Sequence, residues 1–188
     1  MNDRKMWFYN IDVDYLKFLH GIDSKVQFSQ GSGYNTKPFL GGFRISGSNY
    51  FIPLSSPKDK HISWDYEGDT YFMIYETIRE EDRTPKNVIR QRTEGGLEKI
   101  LAVLYLNNMI PVPEKYCQCV GDFLSNKHDK YCDLLRKEYN FCLGIYDDIV
   151  RKAQKLYDAQ KEAGTVNDLC CNFVKMEQAM KNYRSYAE

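Results

Sequence analysis

Residues 37–58 read KPFLGGFRISGSNYFIPLSSPK, and the fold turns on how this stretch divides. FLGGFRI and NYFIPL are rich in aromatic and β-branched residues. They flank SGSN, whose glycine and asparagine suit a tight reversal, so residues 38–53 are expected to form a β-hairpin. Two features go beyond what a hairpin needs. Lys37 stands at its entrance, and Ser55, Ser56, Pro57 and Lys58 stand at its exit. A phosphate-handling site could use all of them. Lysine is a compact cation, hydroxyls and turn N–H groups hold oxygens, and proline stiffens the turn. The plain alternative is a surface turn whose serines bond their own backbone and whose lysines are solvated.

Upstream, residues 6–13 (MWFYNIDV) read as a strand. Residues 12–23 then read as a short helix, started by Asp12 or Asp14 and ended by Gly21, with Tyr15 in its first turn. Residues 25–37 are a Gly/Ser loop, too polar for a core. Downstream, DTYFMIYETI is another strand, and residues 79–96 are a polar excursion with one helical turn begun by Thr84-Pro85. The apolar run from Leu97 leaves the sheet at Pro111 and Pro113. The period then changes. Cys132, Leu135, Tyr139, Cys142, Tyr146, Ile149, Ala153 and Leu156 repeat at alternating spacings of three and four, one face of a long helix. Gly164 stops it, and Leu169, Phe173, Met176, Met180 and Tyr183 mark a second helix. The expected class is α+β: one compact domain over residues 1–188, a strongly curved antiparallel sheet, surrounding helices and a C-terminal helical pair. A doubly wound fold would need strands alternating with helices and a Gly-rich first turn, which this sequence lacks.

Composition narrows the chemistry. The chain has 188 residues, 28% charged and 43% hydrophobic, which suits a soluble protein with a core of reasonable size. No apolar run approaches the roughly 20 residues that span a bilayer, and MNDRKMWFYN has no signal-peptide core, so a cytoplasmic protein is expected. The six cysteines fall as C-x-C, C-C and singly, without metal-finger spacing, and are expected to be reduced packing residues. Net charge is zero, which argues against a broad nucleic-acid surface. The first 61 residues are nevertheless more basic than the next 61, which leaves room for a local basic groove. His20, His61 and His128 are scattered, with no metalloprotease or nucleophile-elbow motif, and the acidic residues are read as dispersed rather than as a magnesium-nuclease cluster. Neither metal nor cofactor is expected.

RNA cleavage is one phosphate chemistry that needs no metal, because the substrate's own 2′-OH is the nucleophile. The protein must align that hydroxyl with the leaving 5′-oxygen, stabilise charge on the non-bridging oxygens and move two protons. Lys37, Ser55, Ser56 and Lys58 suit the phosphate, while Tyr15 and His61 could assist proton transfer or stack on a base. The alternative reading is an RNA-binding module that uses the same groove without cutting.

FYNIDVDYLKFL, KPFLGGFRISGSNYFIPLSSPK, NNMIPV and CNF resemble, in order and spacing, the ToxN/AbiQ family of endoribonuclease toxins from type III toxin–antitoxin systems. The resemblance implies that Lys37 is the active-site lysine, Ser55 and Ser56 the hydroxyl pair, Lys58 the motif lysine and Tyr15 the helix tyrosine. It carries no role onto His61, which is kept as a contact candidate beside the motif. It further implies metal-independent cleavage of single-stranded, A-rich RNA to a 2′,3′-cyclic phosphate and a 5′-hydroxyl. The implied partners are a small repeat RNA antitoxin folded as a pseudoknot, cut from its own precursor, and cellular and phage RNA substrates. A closed protein–RNA hetero-oligomer acting in phage defence is expected, with no membrane. Splayed bases are expected to stack on Tyr34, Phe39 and Tyr50 near the basic residues.

Overall fold

A computed structural model of the chain describes residues 6–28, 38–92, 95–126 and 129–183. Strand β1 (Trp7–Ile11) leads through Asp12 into helix α1 (Val13–Ile22). Asp12 is the N-cap, and its carboxylate accepts from Tyr15 N at 2.9 Å. The helix ends at Asp23 rather than at Gly21, which lies inside it.

The hairpin forms as expected, from β2 (Phe39–Ile45) and β3 (Ser48–Ser55). Ser46 and Gly47 make the two-residue turn, with φ of 50° and 88°, the left-handed pair that matches strand twist. The two glycines in FLGGFRI have separate reasons. The register shifts between Leu40 and Phe43, and Gly42 sits in this bulge at φ 98°. At Gly41 a Cβ would lie 2.5 Å from the Phe51 ring, so Phe51 can pack there only against a bare backbone.

The rest of the sheet is β4 (Glu67–Gly68), β5 (Tyr71–Ile78), β6 (Ile89–Gln91), β7 (Leu97–Tyr105), β8 (Ile110–Pro111) and β9 (Cys117–Cys119). The order is β4-β5-β7-β3-β2-β1-β9, antiparallel throughout, with β6 also on β7 and β8 also on β3. The sheet curls into a half-barrel. The excursion after β5 differs from expectation: its helical turn is a 3₁₀ turn at Glu80–Asp82, before Thr84, and its far end returns as β6. Charged residues hid that strand. Arg90 and Arg92 bracket the buried Glu98 of β7 at 3.5 and 3.3 Å, and Tyr66 donates to it at 2.8 Å.

Three helices follow where two were expected: α2 (Lys130–Gly144), α3 (Tyr146–Ala163) and α4 (Phe173–Asn182). The apolar stripe runs in phase through residues 132–156, yet the chain breaks at Ile145, where ψ is 23°. Gly144 precedes the break and favours helix weakly. Gly164 stops α3 in the left-handed conformation as expected, at φ 62°. Leu169 belongs to no helix and is exposed, because α4 begins only after its N-cap Asn172. Helix α2 packs on β5 and β7, α3 on β2, and α4 on β8 and α1. Among the described residues no helix is long and apolar enough to cross a membrane.

Candidate active site

Strand β3 ends at Ser55, opposite Val103 of β7, and Leu54 N donates to Pro38 O on the other flank. Beyond it the chain leaves the sheet. Ser55 is half-buried, Ser56 and Lys58 are exposed, and Ser55 Oγ lies 3.4 Å from Ser56 O. The two serines and the lysine thus share one turn at an open edge, stiffened by Pro57.

What holds the turn is His61, in the 3₁₀ turn Asp59–Ser63. Its N–H donates to Lys58 O at 2.8 Å, and its Nδ1 accepts from Lys58 N at 3.0 Å. An Nδ1 that accepts a backbone N–H carries no proton, so the neutral ring has its proton on Nε2 and donates to Tyr105 Oη at 3.2 Å. His61 is fully buried. Burial, helped by the Lys60 and Lys58 charges, holds its pKa below the usual histidine value. With both nitrogens engaged it forms no Ser–His pair. It is a post for the Lys58 backbone rather than an RNA contact. Trp64 packs edge-on against it at 4.7 Å and touches Tyr71 at 4.7 Å, with Lys60 Nζ 5.3 Å above the indole. Burial also raises the Tyr105 hydroxyl's pKa.

Of the other expected site residues, Lys37 and Tyr34 lie outside the described residues. Tyr15 is in the core: its hydroxyl donates to Pro111 O at 2.8 Å, and its ring stacks on Tyr116 at 5.1 Å. Burial drives its pKa strongly upward, so it neither orients substrate by a free hydroxyl nor trades a proton near neutrality. Its place is to seat α1 on β8. Tyr50 is likewise fully buried, donating to Glu177 at 3.1 Å, and Phe39 is buried on β2. Neither offers a ring face to a base. Aromatic type alone suggested stacking, and burial decides otherwise. Trp64, Tyr71 and Tyr105 are the aromatics beside the motif. Their signal was a tryptophan in a polar segment just after the turn.

The NNMIPV and CNF segments meet. Asn107 O accepts from Cys171 N at 2.8 Å, Asn107 Nδ2 donates to Leu169 O, and Asn172 N donates to Asp23 at 2.7 Å. They clamp α4 to the sheet and to the end of α1. Among the described residues no group of three or more His, Cys, Asp or Glu is placed to hold a metal.

Fold and site define a small α+β protein whose half-barrel sheet presents a rigid, open hydroxyl-and-lysine turn at one strand end. The chain matches the model of the ToxN toxin family, type III toxin–antitoxin system, over residues 7–181, and it belongs to that family. It is 28% identical over 186 residues to an endoribonuclease ToxN of Bacillus thuringiensis subsp. kurstaki, covering 94% of this chain and 84% of that one. To the endoribonuclease ToxN of Pectobacterium atrosepticum it is 28% identical over 188 residues, covering 97% and 96%. A solved structure of a bacterial type III system, concerned with selective toxin inhibition by a non-coding RNA pseudoknot, superposes with a TM-score of 0.71 at 25% identity. That match covers 96% of this chain and 98% of the other. AbiQ, a lactococcal anti-phage endoribonuclease of the same system type, gives 0.71 at 20% identity over the same shares, a likeness of fold. The resemblance read from the motifs is borne out.

Proposed function

We propose that the chain is the endoribonuclease toxin of a type III system and cleaves single-stranded, A-rich RNA by metal-independent transesterification. The observation that carries this reading is the 55–58 turn, two hydroxyls and an ammonium presented at the end of β3 and fixed through Lys58 to His61. Relatives bearing the endoribonuclease name along nearly the whole chain support it.

In the proposed step the substrate 2′-oxygen forms a bond to phosphorus and loses its proton, and the bond to the 5′-oxygen breaks as that oxygen gains one. The products are a 2′,3′-cyclic phosphate and a 5′-hydroxyl. Ser55 and Ser56 hold the scissile phosphate and align the 2′-OH, and Lys58 binds phosphate oxygen. Lys37 directly precedes Pro38 in the sequence. Pro38 pairs with Leu54, the residue before the hydroxyl pair, which supports Lys37 as the stabiliser of the phosphorane charge. Trp64 takes the stacking place first given to Tyr50 and Phe39. The proposed partner is a pseudoknotted repeat RNA that occupies this site, closes a protein–RNA assembly and is matured by it, in the cytoplasm and in phage defence. The neighbour solved for inhibition by an RNA pseudoknot supports that partner.

Purified protein incubated with total RNA in excess EDTA tests the reading. Discrete fragments with cyclic-phosphate ends are expected. Retention of RNA without cutting would make the chain a binding module, and cleavage abolished by EDTA would overturn metal independence.

A further inference from the structure

Strand β7 has two neighbours in series along one edge. Val103 and Leu104 pair with Ser55 and Leu54 of β3, while Leu97 to Lys99 pair with β6. Between them the edge opens where Ser56 and Pro57 leave the sheet. The opening is a groove of about 600 Å³ between this edge and the start of α2, with Ser56 in its wall. That volume suits a small organic group. Pro57, Val88, Ile100, Leu101 and Leu134 supply apolar lining, and Lys86, Lys99, Lys130 and Lys137 supply cations.

The carboxylates of the lining are already engaged. Glu76 holds Lys99 at 3.4 Å and Lys137 at 2.7 Å, Asp133 holds Lys137 at 3.4 Å, and Asp129 caps α2 through Cys132 N at 2.8 Å. Lys86 and Lys130 are exposed and make no ion pair among the described residues. An apolar floor, two lysines outside any ion pair, a net positive lining and a shared wall with the hydroxyl turn suit one occupant. A nucleotide in a single strand has a flat apolar base beside a phosphate, and a base inside a duplex could not enter.

We infer that this groove is a nucleotide subsite, which takes a base of the single-stranded RNA next to the scissile linkage against Val88, Ile100 and Leu134 and its flanking phosphate on Lys86 and Lys130. The inference rests on the nuclease reading, because Ser56 belongs to both. It assigns to residues 86–88 and the start of α2 a share in substrate choice that the motif itself does not supply. Asn87, in the same wall, carries an amide with both a donor and an acceptor for a base edge.

The test compares wild type with a Lys86→Ala/Lys130→Ala variant, its fold checked by thermal melting. The substrates are an extended single strand and a dinucleotide spanning only the cut. On the extended strand KM is expected to rise roughly tenfold or more with kcat within about threefold, since remote phosphate contacts add binding rather than chemistry. The dinucleotide should be cut equally by both proteins. The salt dependence of binding to the extended strand should flatten by about 0.7 in log–log slope, the value for one phosphate contact. An abasic scan of that strand should find one flanking position whose lost base weakens binding to wild type. Unchanged KM and slope, an equal loss on the dinucleotide, or a silent abasic scan would each overturn the subsite. Binding of a 2′-O-methyl strand, which cannot be cut, separates the two readings. Variant-sensitive binding with no cleavage of any RNA by wild type would sink the nuclease and keep the groove.

Discussion

At the scale of single residues, His61 decides the shape of the turn that carries the chemistry. Its Nδ1 accepts the Lys58 N–H only while unprotonated, and burial holds its pKa below the usual 6.5. A depressed histidine pKa means that the folded state prefers the neutral ring. The contribution to stability is therefore full above about pH 6.5, the unfolded value, and is lost as pH falls through the lower folded value. In His61→Gln the side-chain carbonyl can accept the same N–H at every pH. Wild type is expected to lose about 1 kcal/mol more stability than the variant between pH 8 and 5, the scale of one hydrogen bond. Parallel denaturation profiles for the two would remove His61 from this role. The neighbouring hydroxyls act differently. Ser55→Ala/Ser56→Ala should lower single-turnover cleavage on the order of 100- to 1000-fold, while affinity for an uncut strand falls by no more than about 1–2 kcal/mol. Normal cleavage by the double variant would sink the alignment role, and loss of binding alongside cleavage would make the turn an affinity element.

Among the elements, the hairpin is the least forgiving. Gly41→Ala would place a methyl 2.5 Å from Phe51 and 2.7 Å from Tyr9, with a buried strand on either side. Overpacking of this kind costs about 1–3 kcal/mol. Gly144 ends α2 with nothing within 4 Å of a Cβ and no positive φ. Gly144→Ala should therefore leave stability unchanged or raise it by up to about 1 kcal/mol. Chemical denaturation of the pair reads both, and equal effects would contradict the packing described at Gly41. The contrast also separates what each glycine does: one admits an aromatic ring, the other only weakens a helix end.

For the whole molecule, the cysteines report how tightly the core closes. Cys142, Cys170 and Cys171 are buried, Cys117 and Cys132 are half-buried against the core, and Cys119 is exposed on the sheet-edge strand β9, so the expectation of six packing residues departs only at Cys119. Burial pushes the Cys142 thiol up and the Cys171 thiol up to about 12. Only the thiolate reacts, so native alkylation near neutrality should modify Cys119 within minutes, and Cys142 and Cys171 only as fast as the core opens. Mass spectrometry of timed samples would show the order. Labelling of Cys142 alongside Cys119 would contradict the sealed interface between α2 and the sheet.

The sequence by itself determined what depends on neighbours along the chain: the hairpin with its reversal in SGSN, the short helix started at Asp12 or Asp14, the stop at Gly164, and the hydroxyl-and-lysine turn in its motif. Local backbone preference and side-chain periodicity suffice for these. Tertiary structure alone decided the rest. A stripe that keeps its phase reads the same whether or not the helix breaks at Ile145, so the break was invisible. Strand β6 carries Arg90, with Arg92 just beyond it, because Glu98 of the next strand is buried between the two, and that burial is set by what packs over the sheet rather than by residue type. Tyr15, Tyr50 and Phe39 look like site aromatics but are core, since burial depends on what folds over a ring rather than on its type. His61 became the post of the site for the same reason. Its Nδ1 meets Lys58 within the local turn, but its Nε2 finds Tyr105, and the ring its burial, only once β7 lies beside the end of β3.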